Sequence, residues 1–174
     1  LNDPNNTLSI TPNMSGNDVV FLVPNSVLKA CDGTGNNTLS FLLADSAVTQ
    51  TNGITFDLSL TQGVVETGTV AVQQDVAPLS AESDTHFVAA LGRFTTLIGS
   101  DYGDWFTGAS GSTVSGGLGS DNFFTKDDIV DAVFAGGADA DVLTARGRRV
   151  ARIRFDGDDG ADQLIVDDPL DVDV

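Results

Sequence analysis

Glutamate, cysteine and histidine are almost absent from this chain. It has 23 aspartates but only two glutamates, Glu66 and Glu82, together with a single cysteine and a single histidine. Helix faces favour glutamate, whereas the short aspartate side chain bonds nearby backbone and is typical of turns and caps. Cys31 has no partner for an internal disulfide, and His86 has no recognisable neighbours for catalysis or zinc binding. We therefore predict a turn-rich protein that is not an enzyme.

Basic residues and long hydrophobic runs are also scarce. Only 8 Lys and Arg residues oppose 25 acidic ones, which gives a net charge of −17. This charge repels nucleic acid and anionic membranes, so we expect neither as a partner. No apolar run approaches the roughly 18 residues that span a bilayer, so we expect no membrane insertion. Because the chain begins at Leu1 without a signal-like segment, we expect a processed product or a piece of a longer protein.

The residues that are abundant favour short β-strands separated by turns. The chain has 19 glycines and is 41% hydrophobic, and its 174 residues are enough to bury a core. The run from Ile54 to Leu60 alternates apolar and polar side chains, which is the period of a half-buried strand. Clusters of Asp, Gly and Asn separate such runs, and no stretch has a convincing helical period. The sequence therefore predicts an all-β fold.

A nine-residue pattern recurs in the second half of the chain. Each unit starts with a glycine turn, continues to an aspartate and ends in large apolar residues. The four clear units are 99–107, 116–124, 136–144 and 157–165, and 32–40 is an outlying fifth unit with Asn37 in place of the aspartate. The aspartates of the clear units are Asp104, Asp121, Asp141 and Asp162, and each is separated from the next by about the length of two units.

These units resemble the G-G-x-G-x-D-x-U-x nonapeptide of the RTX-type (hemolysin-type) calcium-binding β-roll family, and suggest a degenerate member of it. Residues 116–124 match the pattern fully, and the other units depart from it at one or two positions. The resemblance covers 97–165 closely and 32–60 in part. It implies a parallel β-roll or β-helix solenoid with short strands and Gly/Asp turns. We expect β-roll repeats over 97–174 and degenerate coils of the same roll over 1–96, with an N-terminal β-sandwich as the alternative.

The resemblance also implies a site. In that family each nonapeptide is a half-coil, so equivalent residues that are two half-coils apart should stack along one edge. Calcium ions would lie between adjacent turns, held by backbone carbonyls and by carboxylates. The implied inward apolar row is Phe106, Phe123, Leu143 and Leu164. The implied metal-binding set is Asp104, Gly116, Gly117, Gly119, Asp121, Gly136, Gly137, Asp139, Asp141, Gly157, Gly160 and Asp162.

Three features remain open to a second interpretation. The aspartate row is either a calcium edge or a row of solvated turns without metal. Five arginines lie between Arg146 and Arg154 on the opposite edge, where they would repel a cation. They form either a basic strand face for an acidic partner or polysaccharide, or internal partners for the aspartates. Trp105 and Tyr102 form either a sugar-stacking surface or the end of the core.

Together these features predict a secreted, non-catalytic structural module that calcium stabilises. Adhesion, a surface layer or a filament would use such a module, with copies of itself or extracellular polysaccharide as partners. Extracellular modules bind calcium at about 10⁻⁴–10⁻³ M, so we expect an extracellular or cell-surface location. The alternatives are the C-terminal secretion and folding module of a larger secreted enzyme, and a carbohydrate-binding module.

Overall fold

Short β-strands make up nearly all of the regular structure in this computed structural model. It describes residues 8–10, 17–21, 26–31, 36–42, 53–62, 73–76, 87–92, 94–126 and 128–167. The strands are β1 (Leu8–Ile10), β2 (Val19–Phe21), β3 (Ser26–Cys31), β4 (Asn37–Ser40), β5 (Thr55–Asp57), β6 (Gln73–Asp75), β7 (Phe87–Gly92), β8 (Phe94–Ile98), β9 (Trp105–Thr107), β10 (Thr113–Gly117), β11 (Asn122–Phe124), β12 (Val133–Ala138), β13 (Val142–Arg146), β14 (Arg154–Asp159) and β15 (Gln163–Asp167).

These strands wind into a β-solenoid of about five turns. Sheet B has the strand order β14-β12-β10-β8-β4-β2, sheet C has the order β15-β13-β11-β9-β5, and sheet A has the order β1-β3-β7-β6. Neighbouring strands are parallel, except that β6 pairs antiparallel with β7. Within the described ranges the helical structure is confined to one 3₁₀ turn, Leu58–Leu60. The predicted all-β parallel solenoid is therefore confirmed.

Strand alternation places the core. In β11 the side chain of Phe123 is buried, whereas those of Asn122 and Phe124 are partly exposed. Phe123 is in register with Phe106 of the preceding coil and Leu143 of the following one, so residues that are two half-coils apart do stack there. The opposing sheet contributes a second buried row that includes Phe134, whose ring centroid lies 5.7 Å from that of Phe123. The core is therefore a stack of apolar layers between sheets B and C.

Leu164 departs from the predicted core row. It is in register with Leu143, which is fully buried, but Leu164 itself is 57% exposed. The reason is its position in β15, which pairs with β13 on one side and forms the last described strand of sheet C. An inward-facing residue is buried only where another coil stacks on it.

Three described strands of the first half lie in the two sheets that hold the repeats, whereas the assignment of all of residues 1–96 to the same roll stays a prediction. β2 and β4 extend sheet B, and β5 extends sheet C. Strands β1, β3, β7 and β6 form the separate sheet A, which the repeat pattern did not predict. Unit 32–40 also lies differently from the other four, because its strand belongs to sheet B and Asn37 is in register with Phe94. Asn37 is therefore not part of the aspartate row.

Candidate functional site

The four aspartates of the repeats form a ladder that joins consecutive coils. Asp104, Asp121 and Asp141 are fully buried, and Asp162 of the last described coil is half-buried. The Oδ1 atoms of Asp104, Asp121, Asp141 and Asp162 accept hydrogen bonds from the backbone N–H groups of Ile54 (2.6 Å), Asp104 (2.7 Å), Asp121 (2.7 Å) and Asp141 (3.0 Å). The predicted row thus exists, but its carboxylates lie between the coils and are not solvated turn groups.

Each aspartate packs over the glycine that opens its turn. A Cβ atom on Gly116 would stand 1.7 Å from Oδ2 of Asp121, and one on Gly136 would stand 2.0 Å from Oδ2 of Asp141. Gly157 meets the Asp162 carboxylate in the same way, at 2.2 Å. These three glycines do not have positive φ angles. Glycine is required here because the carboxylate occupies the space of a side chain.

The remaining turn residues of the predicted set adopt left-handed backbone. Gly117, Gly119, Gly137 and Gly160 have φ between 88° and 154°. Asp139 (φ 74°) and Asp158 (φ 61°) adopt positive φ at repeat positions that other units fill with glycine. Aspartate is one of the few residues that visits this region, because its short side chain can bond local backbone. Degenerate units therefore keep the turn.

Two carboxylate oxygens of the ladder lack a hydrogen-bond donor. Oδ2 of Asp121 and Oδ2 of Asp141 are buried and have no partner within the described part of the chain. By contrast, Oδ2 of Asp104 accepts the backbone N–H of Ser100 at 2.7 Å. The sequence reasoning missed Ser100, although it is the one serine at a repeat position that otherwise holds glycine or aspartate. Both carboxylate oxygens of Asp104 therefore accept hydrogen bonds from the protein, whereas Asp121 and Asp141 each have one oxygen that does not.

A carbonyl oxygen adds to this excess of acceptors. The carbonyl oxygen of Gly157 lies 2.8 Å from the position of a Gly136 Cβ, on which Oδ2 of Asp141 also converges. A carboxylate oxygen without a donor and a backbone carbonyl oxygen thus converge on the same space beside Gly136. Buried polar groups in this situation are strongly unfavourable unless a proton or a cation joins them.

Burial changes the protonation of the ladder. Desolvation raises the pKa of the Asp121 carboxyl to about 8, and the neighbouring charges of Asp104, Asp141 and Asp139 act in the same direction. Burial also raises the pKa of Asp141, with Asp162 and Asp139 adding to the effect. The ladder hydrogen bonds oppose both increases. Without a cation, Asp121 is therefore mostly protonated at neutral pH.

We expect the calcium-free protein to lose stability as the pH rises from acid to mildly alkaline values. The folded protein holds a proton on Asp121 up to about pH 8, whereas the unfolded chain releases it near 3.8. The stabilisation from this group is complete below the lower value, declines between the two, and is lost above the higher one. Thermal unfolding in chelator at about pH 5, 7 and 9 measures this dependence of stability on pH.

An Asp121→Asn variant serves as the control, because it removes the titrating proton and should flatten the curve. Asp131 acts with the opposite sign, since its hydrogen bond to Arg152 lowers its pKa and its contribution is lost only as the pH falls through that lowered value. A stability that increases steadily towards pH 9 in chelator would contradict the expectation.

The donor set suits a hard cation only if backbone carbonyls take part. Nowhere in the described ranges do three Asp, Glu, His or Cys side chains form a group that could hold a metal ion. Calcium accepts carbonyl as well as carboxylate oxygens and takes six to eight of them. The unpartnered oxygens of Asp121 and Asp141, with the Gly157 carbonyl, fit that chemistry but would need further carbonyl or water ligands.

Three of the five arginines of the opposite edge are paired with aspartates. Residues 147–153 form the connection between β13 and β14, so the predicted basic strand is wrong. The Arg152 guanidinium binds the Asp131 carboxylate through two nitrogens, and Arg154 binds Asp156. Arg146 binds Asp167 at 2.8 Å and 2.5 Å. These pairs agree with the interpretation that the arginines neutralise neighbouring aspartates.

The two large aromatic residues near Asp104 are on the outside. Trp105 is 47% exposed and Tyr102 is 37% exposed, so the interpretation that they end the core is wrong. The Trp105 ring lies 6.1 Å from the ring of Phe124 on the outer face of sheet C. Exposed rings are what stacking on sugars requires, and polysaccharide binding stays a prediction.

Comparison with known proteins adds no relative. No family model, curated protein or solved structure matches this chain. The resemblance to the RTX-type family therefore stays a prediction that rests on the repeats. The described residues contain no helix long and apolar enough to cross a membrane. His86 lies outside the described residues.

Proposed function

We propose that this chain is a non-catalytic structural repeat module of the extracellular space, stabilised by calcium at its aspartate edge. The supporting observation is the pair of buried Oδ2 atoms, on Asp121 and Asp141, that lack donors. A divalent cation shared between adjacent coils gives each of them a partner. It also bridges the coils in the direction in which the solenoid stacks.

The charge balance leaves the ladder aspartates without a basic partner in their own turns. The four repeat units that carry the ladder contain no lysine or arginine. The ion pairs that Arg146 and Arg152 form lie on the other edge. The repulsion between the ladder aspartates is therefore not offset by a basic residue of their own turns. Asp121 and Asp141 would hold the ion with the Gly157 carbonyl, and the metal would supply charge neutralisation and a cross-link.

The solenoid fold supports a structural role. Its coils bury their core only by stacking on one another, so an ion between two coils stabilises the unit that makes the fold cooperative. Extracellular calcium is high enough to fill sites of about 10⁻⁴–10⁻³ M affinity. Adhesion and surface-layer or filament assembly are the uses that such a module fits. The alternative, a folding module of a larger secreted enzyme, would use the same edge and would differ in the mass of the native particle.

Calcium at about 10 mM, a roughly ten- to hundredfold excess over a dissociation constant of about 10⁻⁴–10⁻³ M, is expected to raise the melting temperature by about 3–10 °C relative to chelator. Binding to the folded state alone adds about 2.7 kcal/mol at a hundredfold excess over the dissociation constant, and 1 kcal/mol corresponds to about 2–4 °C in a domain of this size. The Asp121→Asn variant is expected to melt at the same temperature with and without calcium. The asparagine side chain can still accept the hydrogen bond from the Asp104 N–H, but it carries no negative charge.

Asp128→Asn is the matched control, because it makes the same change at an exposed residue of the opposite edge. It should keep the full calcium response, and magnesium should not reproduce that response. Identical melting curves of the wild type in chelator and in calcium would exclude a calcium-stabilised module. An equal calcium response in Asp121→Asn would show that the ion binds elsewhere.

A further inference from the structure

The outer face of sheet C is uncharged across its three middle strands, β9, β11 and β13. In each strand one buried residue separates two residues that face outward. The outward residues are Trp105, Thr107, Asn122, Phe124, Val142 and Thr144. None of them is acidic or basic, although the chain has a net charge of −17. This face therefore suits a neutral ligand, because the acidic remainder of the protein repels anions.

The charged side chains that border this face are paired with one another. Lys126, which follows β11, binds the Asp57 carboxylate of β5. Arg146 at the end of β13 binds the Asp167 carboxylate of β15. A charged ligand would have to displace one of these ion pairs, whereas a neutral ligand leaves both intact.

Two aromatic rings lie on this face above a fixed backbone. The Trp105 side chain is 47% exposed, and its ring lies 6.1 Å from that of Phe124 at an angle of 49°. The Trp105 N–H donates to the carbonyl oxygen of Ile54 at 2.8 Å, and Thr55 and Asn122 are its register partners on the two sides. Because both rings stand on paired strands, binding a ligand on them requires little ordering of the chain.

Hydrogen-bonding side chains surround the two rings. Asn122 is in register with Trp105, and Thr107 and Thr144 are in register with Phe124 on its two sides. Exposed apolar groups rimmed by polar ones are typical of binding surfaces. A pyranose ring has the complementary pattern, with C–H groups on its faces and hydroxyl groups around its edge.

The spacing of the strands selects the shape of the ligand. Neighbouring strands lie about 4.8 Å apart, which is close to the length of one sugar unit in an extended chain. The register is unbroken from β9 to β13, so the face is an extended surface and not a pocket. We propose that the outer face of sheet C binds a neutral, extended β-1,4-linked polysaccharide, which lies along the solenoid axis with one sugar ring stacked on Trp105.

Cellohexaose is the probe for this surface. Trp105 is the single tryptophan of the chain, so the tryptophan emission of the wild type reports this face alone. Millimolar cellohexaose is expected to change that emission, whereas maltohexaose, the coiled α-1,4-linked isomer, is not. In calorimetry, Trp105→Ala is expected to weaken cellohexaose binding about tenfold or more, as is typical of a tryptophan anchor. Phe21→Ala is the matched control, because it removes a 52% exposed aromatic side chain from sheet B and should leave binding unchanged.

The outcomes separate this inference from the calcium-stabilised module. Unchanged emission of the wild type and no heat with cellohexaose would overturn the inference. Equal binding of maltohexaose would contradict the extended shape, and tighter binding of acidic oligogalacturonate would contradict the neutral ligand. A dimer in sedimentation that Trp105→Ala abolishes would assign the face to a second copy instead. Melting curves check that each variant folds, and the calcium response of the wild type does not depend on any of these results.

Discussion

Replacement of Gly116 by alanine is expected to lower the free energy of unfolding by about 3–5 kcal/mol. The added Cβ would lie 1.7 Å from Oδ2 of Asp121 and 2.4 Å from its Cγ, where no rotation of a flexible side-chain end can remove the overlap. Asp121 is fully buried, so it has to shift within a packed layer. Its hydrogen bond from the Asp104 N–H would be lost, which leaves a buried donor unsatisfied. Equilibrium denaturation measures the change.

Two further variants identify the cause. Gly111→Ala places a Cβ in open space and strains only a φ of 72°, so it should cost about 1 kcal/mol. Asp121→Ala removes the carboxylate that Gly116 accommodates, so Gly116→Ala should cost much less in that background than alone. Additive effects in this double-mutant cycle would mean that the glycine is needed for a reason other than the aspartate.

Phe123→Ala is expected to cost about 3–5 kcal/mol. Phe123 is fully buried, and its ring lies 5.7 Å from that of Phe134 and 6.3 Å from that of Phe155. Truncation leaves a cavity between sheets B and C that neighbouring coils cannot close without losing their strand register. Chemical denaturation gives the change in free energy, and the slope of the transition reports whether the whole solenoid still unfolds together.

Phe124→Ala is the matched control, since the next residue of the same strand faces outward. Phe124 is partly exposed and contacts Trp105 across the outer surface of sheet C. Its removal should cost no more than about 1–1.5 kcal/mol, which is the range of an aromatic pair contact. A larger effect for Phe124 than for Phe123 would mean that the inward and outward faces are assigned the wrong way round.

At the aspartate ladder, the sequence predicted which residues lie together but not which atoms contact each other. The repeat places Gly116 and Asp121 in one turn, and the resemblance assigns both to a metal site. It does not reveal that the carboxylate packs on the glycine Cα, because that contact depends on how the turn closes. The sequence also could not distinguish Asp104, whose second oxygen has the Ser100 N–H as donor, from Asp121, whose second oxygen has none. That difference comes from the backbone path at a single repeat position.

The sequence by itself determined the coil length, the inward row from Phe106 to Leu143 and the stacking of the aspartates, because periodicity and turn residues are local properties. Only the tertiary structure decided which of these residues are buried and paired. Leu164 has the same local pattern as Leu143 but lacks a following coil to cover it. Asn37 has the repeat pattern but lies in the other sheet. The burial and the contacts of each residue depend on the coils that stack above and below it, and a single repeat does not encode those coils.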